Sequence, residues 1–196
     1  MNQYFDNNDN LDSKLKIIDY KYEQYSLSFY SDLGVFSKDH IDYGSRLLLE
    51  TYLKNKKSIT KALDIGCGYG FIGITLSKIL NMDVDMIDIN HRCLHLTKKN
   101  IKLNKVSAQV FLSDTYANIN NRYDLIITNP PIKAGKKIIY DILFKAKEYL
   151  EKKGEVWFVM RKDHGAKSTI KDLEKEYLVE IIVKNKGFYV ICLKND

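Results

Sequence analysis

The segment Leu63-Asp64-Ile65-Gly66-Cys67-Gly68-Tyr69-Gly70 constrains this chain more than any other stretch. A short apolar strand over residues 62–65 runs into three glycines at alternate positions, and then into an amphipathic helix over residues 71–80. Glycines at such a junction let the backbone turn tightly and approach a ligand with no Cβ in the way. A strand, turn and crossover helix calls for a parallel neighbour, and the downstream pattern supplies several. Strands are predicted over residues 84–89, 109–112, 125–128 and 156–160, and helices over 91–103, 136–150 and 166–177. The last two strands, 179–183 and 188–193, are joined by four residues, too few for a parallel crossover, so they form an antiparallel edge hairpin. The fold class is therefore α/β: a doubly wound, mostly parallel sheet with an antiparallel C-terminal hairpin. Upstream, residues 14–22 and 26–30 read as a second hairpin, followed by a helix from about 39 to 54. This divides the chain into an N-terminal hairpin-and-helix extension, 1–57, and a ligand-binding domain, 58–196.

Composition removes several classes of protein. With 196 residues, 45% apolar and 29% charged, the chain has the make-up of a soluble globular domain. No apolar run approaches the roughly 18 residues of a membrane span. The start MNQYFDNNDNLDSK is polar and acidic, unlike a signal or transit peptide. Three cysteines without a CxxC pair suit a reducing compartment, so a cytoplasmic location is expected. The net charge is +6, and residues 129–196 carry the excess, with 15 Lys or Arg against 10 Asp or Glu. Such a bias attracts polyanions without specifying which one.

Two carboxylates sharpen the ligand. Asp88 ends the second strand of the domain, 18 residues after Gly70, where a carboxylate can take both hydroxyls of a ribose. Asp64 stands two residues before the first glycine. A carboxylate there disfavours a pyrophosphate and suits a cationic ligand bearing an ammonium and a sulfonium. The spacing is GxGxG rather than the GxGxxG of dinucleotide sites. Both prolines of the chain then fall together, in Thr128-Asn129-Pro130-Pro131-Ile132, directly after an apolar strand. They stiffen the turn and keep Asn129 extended. An amide oxygen held in place beside the Pro130 carbonyl makes a pair of acceptors for an exocyclic amine.

DIGCGYG, the acid at Asp88, Ser113-Asp114 after the third strand and NPPI after the fourth resemble the class I S-adenosylmethionine-dependent methyltransferases. The N/D-PP-x motif is typical of those that methylate amino nitrogens. The nearer likeness is to the RsmC-like small-domain group, which modifies guanine N2 in small-subunit (16S) ribosomal RNA. It extends from Gly34-Val35-Phe36-Ser37, through Asp42-Tyr43-Gly44-Ser45, to the C-terminal hairpin. NPPIKAGK, residues 129–136, resembles the short single-domain members, which lack the duplicated N-terminal domain of the longer ones.

The resemblance implies a Rossmann-like sheet with S-adenosyl-L-methionine as cofactor. It places Asp64 and the loop of Gly66, Cys67, Gly68 and Gly70 around the methionine part, Asp88 and Ile89 at the ribose, and Ser113 and Asp114 near the adenine. Asn129 and Pro130 become the catalytic acceptors for the target amine. One position departs from the pattern: Ile132 stands where an aromatic residue often stacks the target base. Pro131 and Ile132 then form an apolar floor, and Phe36 is the ring expected to substitute. Lys133, Lys136 and Arg161, with Lys137 and Lys162, are expected to meet phosphates of ribosomal RNA or of the small subunit. The alternatives are methylation of a protein glutamine amide or a DNA adenine, an NAD-dependent oxidoreductase, and a ribosome-assembly module without turnover. A metal is not expected: His91, Cys93 and His95 lack further ligands nearby. Cys67 has no His or Asn partner that would make it a nucleophile. Phe188 and Tyr189 are expected in the core.

Overall fold

The computed structural model describes residues 13–194, so the polar start over residues 1–12 lies outside the described residues. Lys16–Tyr22 (β1) and Tyr25–Ser31 (β2) form the first hairpin, and Tyr43–Asn55 is α1. The main sheet comes from Lys61–Ile65 (β3), Asp83–Asp88 (β4), Ala108–Leu112 (β5), Tyr123–Thr128 (β6), Leu150–Arg161 (β7), Leu178–Asn185 (β8) and Phe188–Lys194 (β9). Phe71–Leu80 (α2), His91–Asn104 (α3), Lys136–Lys145 (α4) and Ala166–Leu173 (α5) connect them. The strand order is β5-β4-β3-β6-β7-β9-β8. β3 to β7 run parallel, and β9 is antiparallel to both β7 and β8, as the short last turn requires.

The two-residue period of the strands sorts their side chains between two cores. Leu125, Ile127, Trp157, Val159, Val190 and Cys192 face α1, α2, α3 and the first hairpin. Ile126, Val156, Phe158, Met160, Ile191 and Leu193 face α4 and α5. Tyr20, Leu27 and Phe29 of the hairpin are buried in the first of these cores, where Tyr20 and Phe29 both meet the Phe71 ring edge-on.

The outer edge of β2 is closed by side chains rather than by another strand. On α3, Asn100 accepts from Tyr30 N at 2.7 Å and donates to Tyr30 O at 2.9 Å. One turn later Asn104 does the same for Ser28 N and O, at 3.2 and 2.9 Å. Asn100 also donates to Tyr69 O at 2.8 Å, which ties the hairpin to the glycine turn.

Element ends differ from the sequence reading in four places. α1 begins at Tyr43, not near 39, because Asp42 caps it by accepting from Ser45 N at 2.7 Å. The helix expected to reach 150 stops at Lys145 and tightens into a 3-10 turn, Ala146–Tyr149. β7 is twice the expected length and takes a register shift against β6 at Tyr123/Leu125, beside Gly154, where a Cβ would lie 2.9 Å from Tyr123 O. α5 ends at Leu173, and Tyr177 is held beyond it by its hydroxyl donating to Leu143 O at 3.0 Å.

Replacing Asn100 by Leu leaves Tyr30 N–H and two carbonyls without partners inside the fold. Each buried orphan costs about 1–3 kcal/mol, so Asn100→Leu is expected to lower unfolding stability by at least about 2 kcal/mol in a urea titration.

Candidate active site

A cavity of about 790 Å³ opens at the C-terminal ends of β3, β4, β6 and β7. Its floor is the glycine turn. Gly66 N and Cys67 N both donate to Ile87 O, at 2.9 and 3.0 Å, which folds the turn over the end of β4. Gly68 N donates to Asp88 Oδ2 at 2.9 Å, and Thr97 on α3 holds Gly68 O at 2.8 Å. Gly66 and Gly68 have φ of +70° and +58°, and a Cβ on either would meet nothing within 4 Å. The turn therefore presents bare backbone to open space, as a ligand cradle requires. Gly70 has a different task and is not on the cavity wall. It is the N-cap of α2 at φ +90°, and a Cβ there would press to 2.7 Å from Ile74. Its absent side chain serves helix packing.

Asp64 lies on the face of β3 that meets α2, 1% exposed, and accepts from Gly73 N at 2.9 Å. Burial pushes its carboxyl up to about 7, against the pull of that one backbone donor. Asp88 is held by Gly68 N and by Asn90 N at 2.9 Å, and burial raises it as well, despite these bonds. Among the described residues neither carboxylate forms an ion pair. A buried and a half-buried acid, both unneutralised beside an open glycine turn, are unfavourable alone and are relieved by a cation. They oppose a pyrophosphate for the same reason.

On the opposite wall, Thr128 Oγ1 donates to Ile65 O at 2.8 Å and fastens the end of β6 to β3. Asn129 follows, with Nδ2 donating to Asp42 Oδ2 at 3.0 Å and to Ser45 Oγ at 2.8 Å. The Pro131 carbonyl is taken by Ala134 N at 2.9 Å, whereas no hydrogen bond among the described residues engages the Pro130 carbonyl. Pro130, Pro131, Ile132 and Lys133 all line the cavity, Ile132 within a short 3-10 turn.

The other expected residues divide. Phe36, Cys67, Ile89, Asp114 and Arg161 lie on the wall, Phe36 at 41% exposure. Ser113 lies there too, but its hydroxyl is spent within its own turn, donating to Thr115 O at 2.9 Å. Lys136 stands off the cavity, over the Tyr140 ring and 3.8 Å from Asp172. Burial holds the Cys67 and Cys93 thiols well above their ordinary range, so neither is a ready thiolate. Phe188, expected in the core, packs against the first core partly buried and lines the cavity as well. Tyr189 is buried, but Phe188 reaches the cavity rim, with the Arg161 guanidinium 5.3 Å from its centroid and the Tyr43 ring 5.5 Å away. The sequence reading gave Asp42 and Ser45 no role of their own; Asn129 lies 87 and 84 residues after them, respectively.

A family model for the methyltransferase small domain matches residues 26–192. The chain belongs to the methyltransferase small domain family. The Bacillus subtilis protein YbxB is 36% identical, with 97% of each chain aligned. The ribosomal RNA small subunit methyltransferase C of Haemophilus influenzae is 31% identical over 87% of this chain, and that of Buchnera aphidicola is 38% identical over 83%. The chain spans about half the length of these two relatives. Among solved structures, the Thermus thermophilus 16S rRNA N2 methyltransferase RsmC, in complex with AdoMet and guanosine, superposes with a TM-score of 0.84. It covers 95% of this chain and shares 22% identity, which is a likeness of fold.

This membership makes S-adenosylmethionine the donor that the cavity has to hold, and the residues fit it. The bare backbone at Gly66 and Gly68 leaves open space over the turn, Asp64 supplies negative charge beside it, and Asp88 ends β4 with its carboxylate at the cavity wall. Only the ionised form of Asp64 attracts a cation. Cofactor affinity is therefore expected to fall as pH drops from about 7 to 5, by up to tenfold per unit, with proton release on binding at neutral pH. Calorimetry in buffers of different ionisation enthalpy reads both effects.

The same shift has the opposite sign for folding. An acid whose folded pKa lies above its ordinary value of 3.8 binds more protons folded than unfolded, so its burial destabilises increasingly from about pH 4 to 7. Asp64→Asn is expected to raise the melting temperature of the free protein at pH 8 while weakening the cofactor.

Proposed function

We propose that this chain methylates an exocyclic amine, guanine N2 of small-subunit ribosomal RNA, in the cytoplasm. The reading rests first on the Asn129–Pro130 pair at the mouth of a cavity floored by the glycine turn. With Nδ2 committed to α1, Asn129 keeps Oδ1 as an acceptor beside the Pro130 carbonyl. Two acceptors on a proline-stiffened turn can hold both N–H groups of an NH₂ and leave its lone pair aimed at the donor. The relatives named as ribosomal RNA methyltransferases, and the RsmC structure solved with guanosine, favour guanine in RNA over the other amines that this motif serves.

When bound, the cofactor supplies an electrophilic methyl group on a sulfonium. The chain's share is alignment, which can lower a barrier by roughly 7–11 kcal/mol. The guanine amine is poorly nucleophilic because its lone pair is delocalised into the ring. Hydrogen bonds to Asn129 Oδ1 and Pro130 O would favour a pyramidal nitrogen; as the N–C bond formed the methyl–sulfur bond would break, leaving a neutral thioether, and one amine proton would pass to solvent. Pro131 and Ile132 give the base an apolar floor, while Phe36 and Phe188 supply rings at the rim. The target must leave its helix to reach this depth. Lys133 and Arg161 lie on the same wall, where phosphates of a splayed strand would pass.

The test supplies methyl-labelled S-adenosylmethionine with small subunits, and with naked RNA, from cells lacking the gene. Label in N2-methylguanosine is expected. Label in protein glutamine or in DNA adenine would replace the guanine assignment, and no transfer to any acceptor would favour a binding module. Asn129→Ala is expected to retain cofactor affinity within about twofold while turnover falls by about 100-fold or more.

A further inference from the structure

Asn129 meets α1 through one end of its amide only. Nδ2 donates to Asp42 Oδ2 and Ser45 Oγ, and Asp42 Oδ2 also accepts Ser45 N as the helix cap. The last torsion of an asparagine is soft and nearly two-fold, so exchanging NH₂ and oxygen changes charge pattern without changing shape. The Ser45 hydroxyl can donate or accept and would tolerate either arrangement. A carboxylate only accepts, so Asp42 admits the NH₂ and rejects the oxygen. The turn that carries Asp42 is itself braced by the C-terminal hairpin. Phe188 packs against Gly44 so closely that a Cβ there would lie 3.0 Å from Cε1, and its ring meets that of Tyr43.

We propose that Asp42 is the positioning residue that decides which end of the Asn129 amide faces the substrate amine, and that its charge is why position 129 holds an amide rather than a carboxylate. The inference deepens the reading of Asn129 as an amine acceptor and rests on it. The N/D-PP-x motif accommodates an acid at this position in general. Here an acid would set a second carboxylate about 3 Å from Asp42, and two carboxylates so placed share one proton. The shared proton would mimic the amide N–H, leaving a carbonyl oxygen toward the cavity. Its loss would leave two like charges in contact.

Other charged and titratable groups surround the pair without bonding to Asn129. Tyr69 approaches from the glycine turn, its phenol pushed up by burial and then by the Asp42 charge. Arg46 lies one turn along α1, near the Tyr43 ring, and Lys186 lies over that ring from the hairpin turn. Asp64, Asp88, Asp114, Lys133, Arg161 and His164 line the cavity.

The experiment follows carboxyl titration in Asn129→Asp by carbon-13 NMR on the free protein, together with its turnover against pH. One carboxyl of the new pair is expected to titrate at least about two units above the ordinary range near 4, with methyl transfer lost as that proton leaves. Adding Asp42→Asn keeps an oxygen for the helix cap and removes one charge. It is expected to return the titration to the ordinary range and restore at least about tenfold of the turnover at pH 8. An introduced carboxyl that titrates near 4 beside Asp42, or a double variant no better than the single one, overturns the proposal. Should Asn129→Asp fail to fold, Asp42→Ala decides: it removes the acceptor that Asn129 Nδ2 meets and is expected to lower kcat several-fold with cofactor affinity unchanged. Asp42→Asn, whose capping oxygen still faces Asn129 Nδ2, is expected to restore it, and an unaltered kcat in Asp42→Ala overturns the role. The titration needs no turnover, so a fully active Asn129→Ala would sink the functional reading separately from the Asp42 coupling.

Discussion

A buried and a half-buried carboxylate, with no cationic partner among the described residues, organise the working end of this fold. Asp64 and Asp88 lie at the C-terminal ends of neighbouring parallel strands, and among the described residues they are met by backbone N–H groups, Gly73 for Asp64 and Gly68, Ile89 and Asn90 for Asp88. Those bonds set the course of the glycine turn, because Gly68 is drawn onto Asp88 while Gly66 and Cys67 are drawn onto the end of β4. The remaining charge is uncompensated, which raises both acids and leaves a site whose energy improves when a cation arrives. The fold carries this unfavourable charge at the wall of its cavity, as functional sites commonly do.

The N-terminal segments complete the site from the other side. The hairpin β1–β2 is sewn to α3 by Asn100 and Asn104, and Asn100 reaches on to Tyr69 of the glycine turn. α1 brings Asp42 and Ser45 to Asn129, and the β8–β9 hairpin seats Phe188 against its first turn. The glycine turn, the Asn129–Pro130 turn and the cavity rim thus draw on segments far apart in sequence, joined by a few polar side chains across the sheet ends.

Much of this was legible in the chain. Alternating apolar strands and amphipathic helices gave the doubly wound sheet, and the four-residue turn before Phe188 gave its antiparallel edge. The glycine turn, Asp88 and Asn129 were visible because each sits at a strand end, where the fold fixes its neighbourhood. What escaped depends on long-range packing. The long β7 carries a register shift against β6 at Tyr123/Leu125, and local periodicity carries no trace of it. Gly70 lies inside the glycine motif yet serves helix packing, since spacing alone does not separate a cradle from a tight crossing. Lys136 belongs to the basic stretch after the prolines but turns toward Asp172 on α5. Asp42 and Ser45 escaped notice, because the predicted helix began near 39 and their partner lies 84 or more residues downstream.

The central claim is that one cavity holds the methyl donor over the glycine turn and the target amine against Asn129 and Pro130. A crystal structure with S-adenosylhomocysteine and guanosine addresses it most directly. The account predicts the ribose hydroxyls on Asp88, and guanine N2 within hydrogen-bonding distance of both Asn129 Oδ1 and the Pro130 carbonyl. Guanosine bound elsewhere, or a cofactor seated away from Gly66 and Gly68, would contradict it.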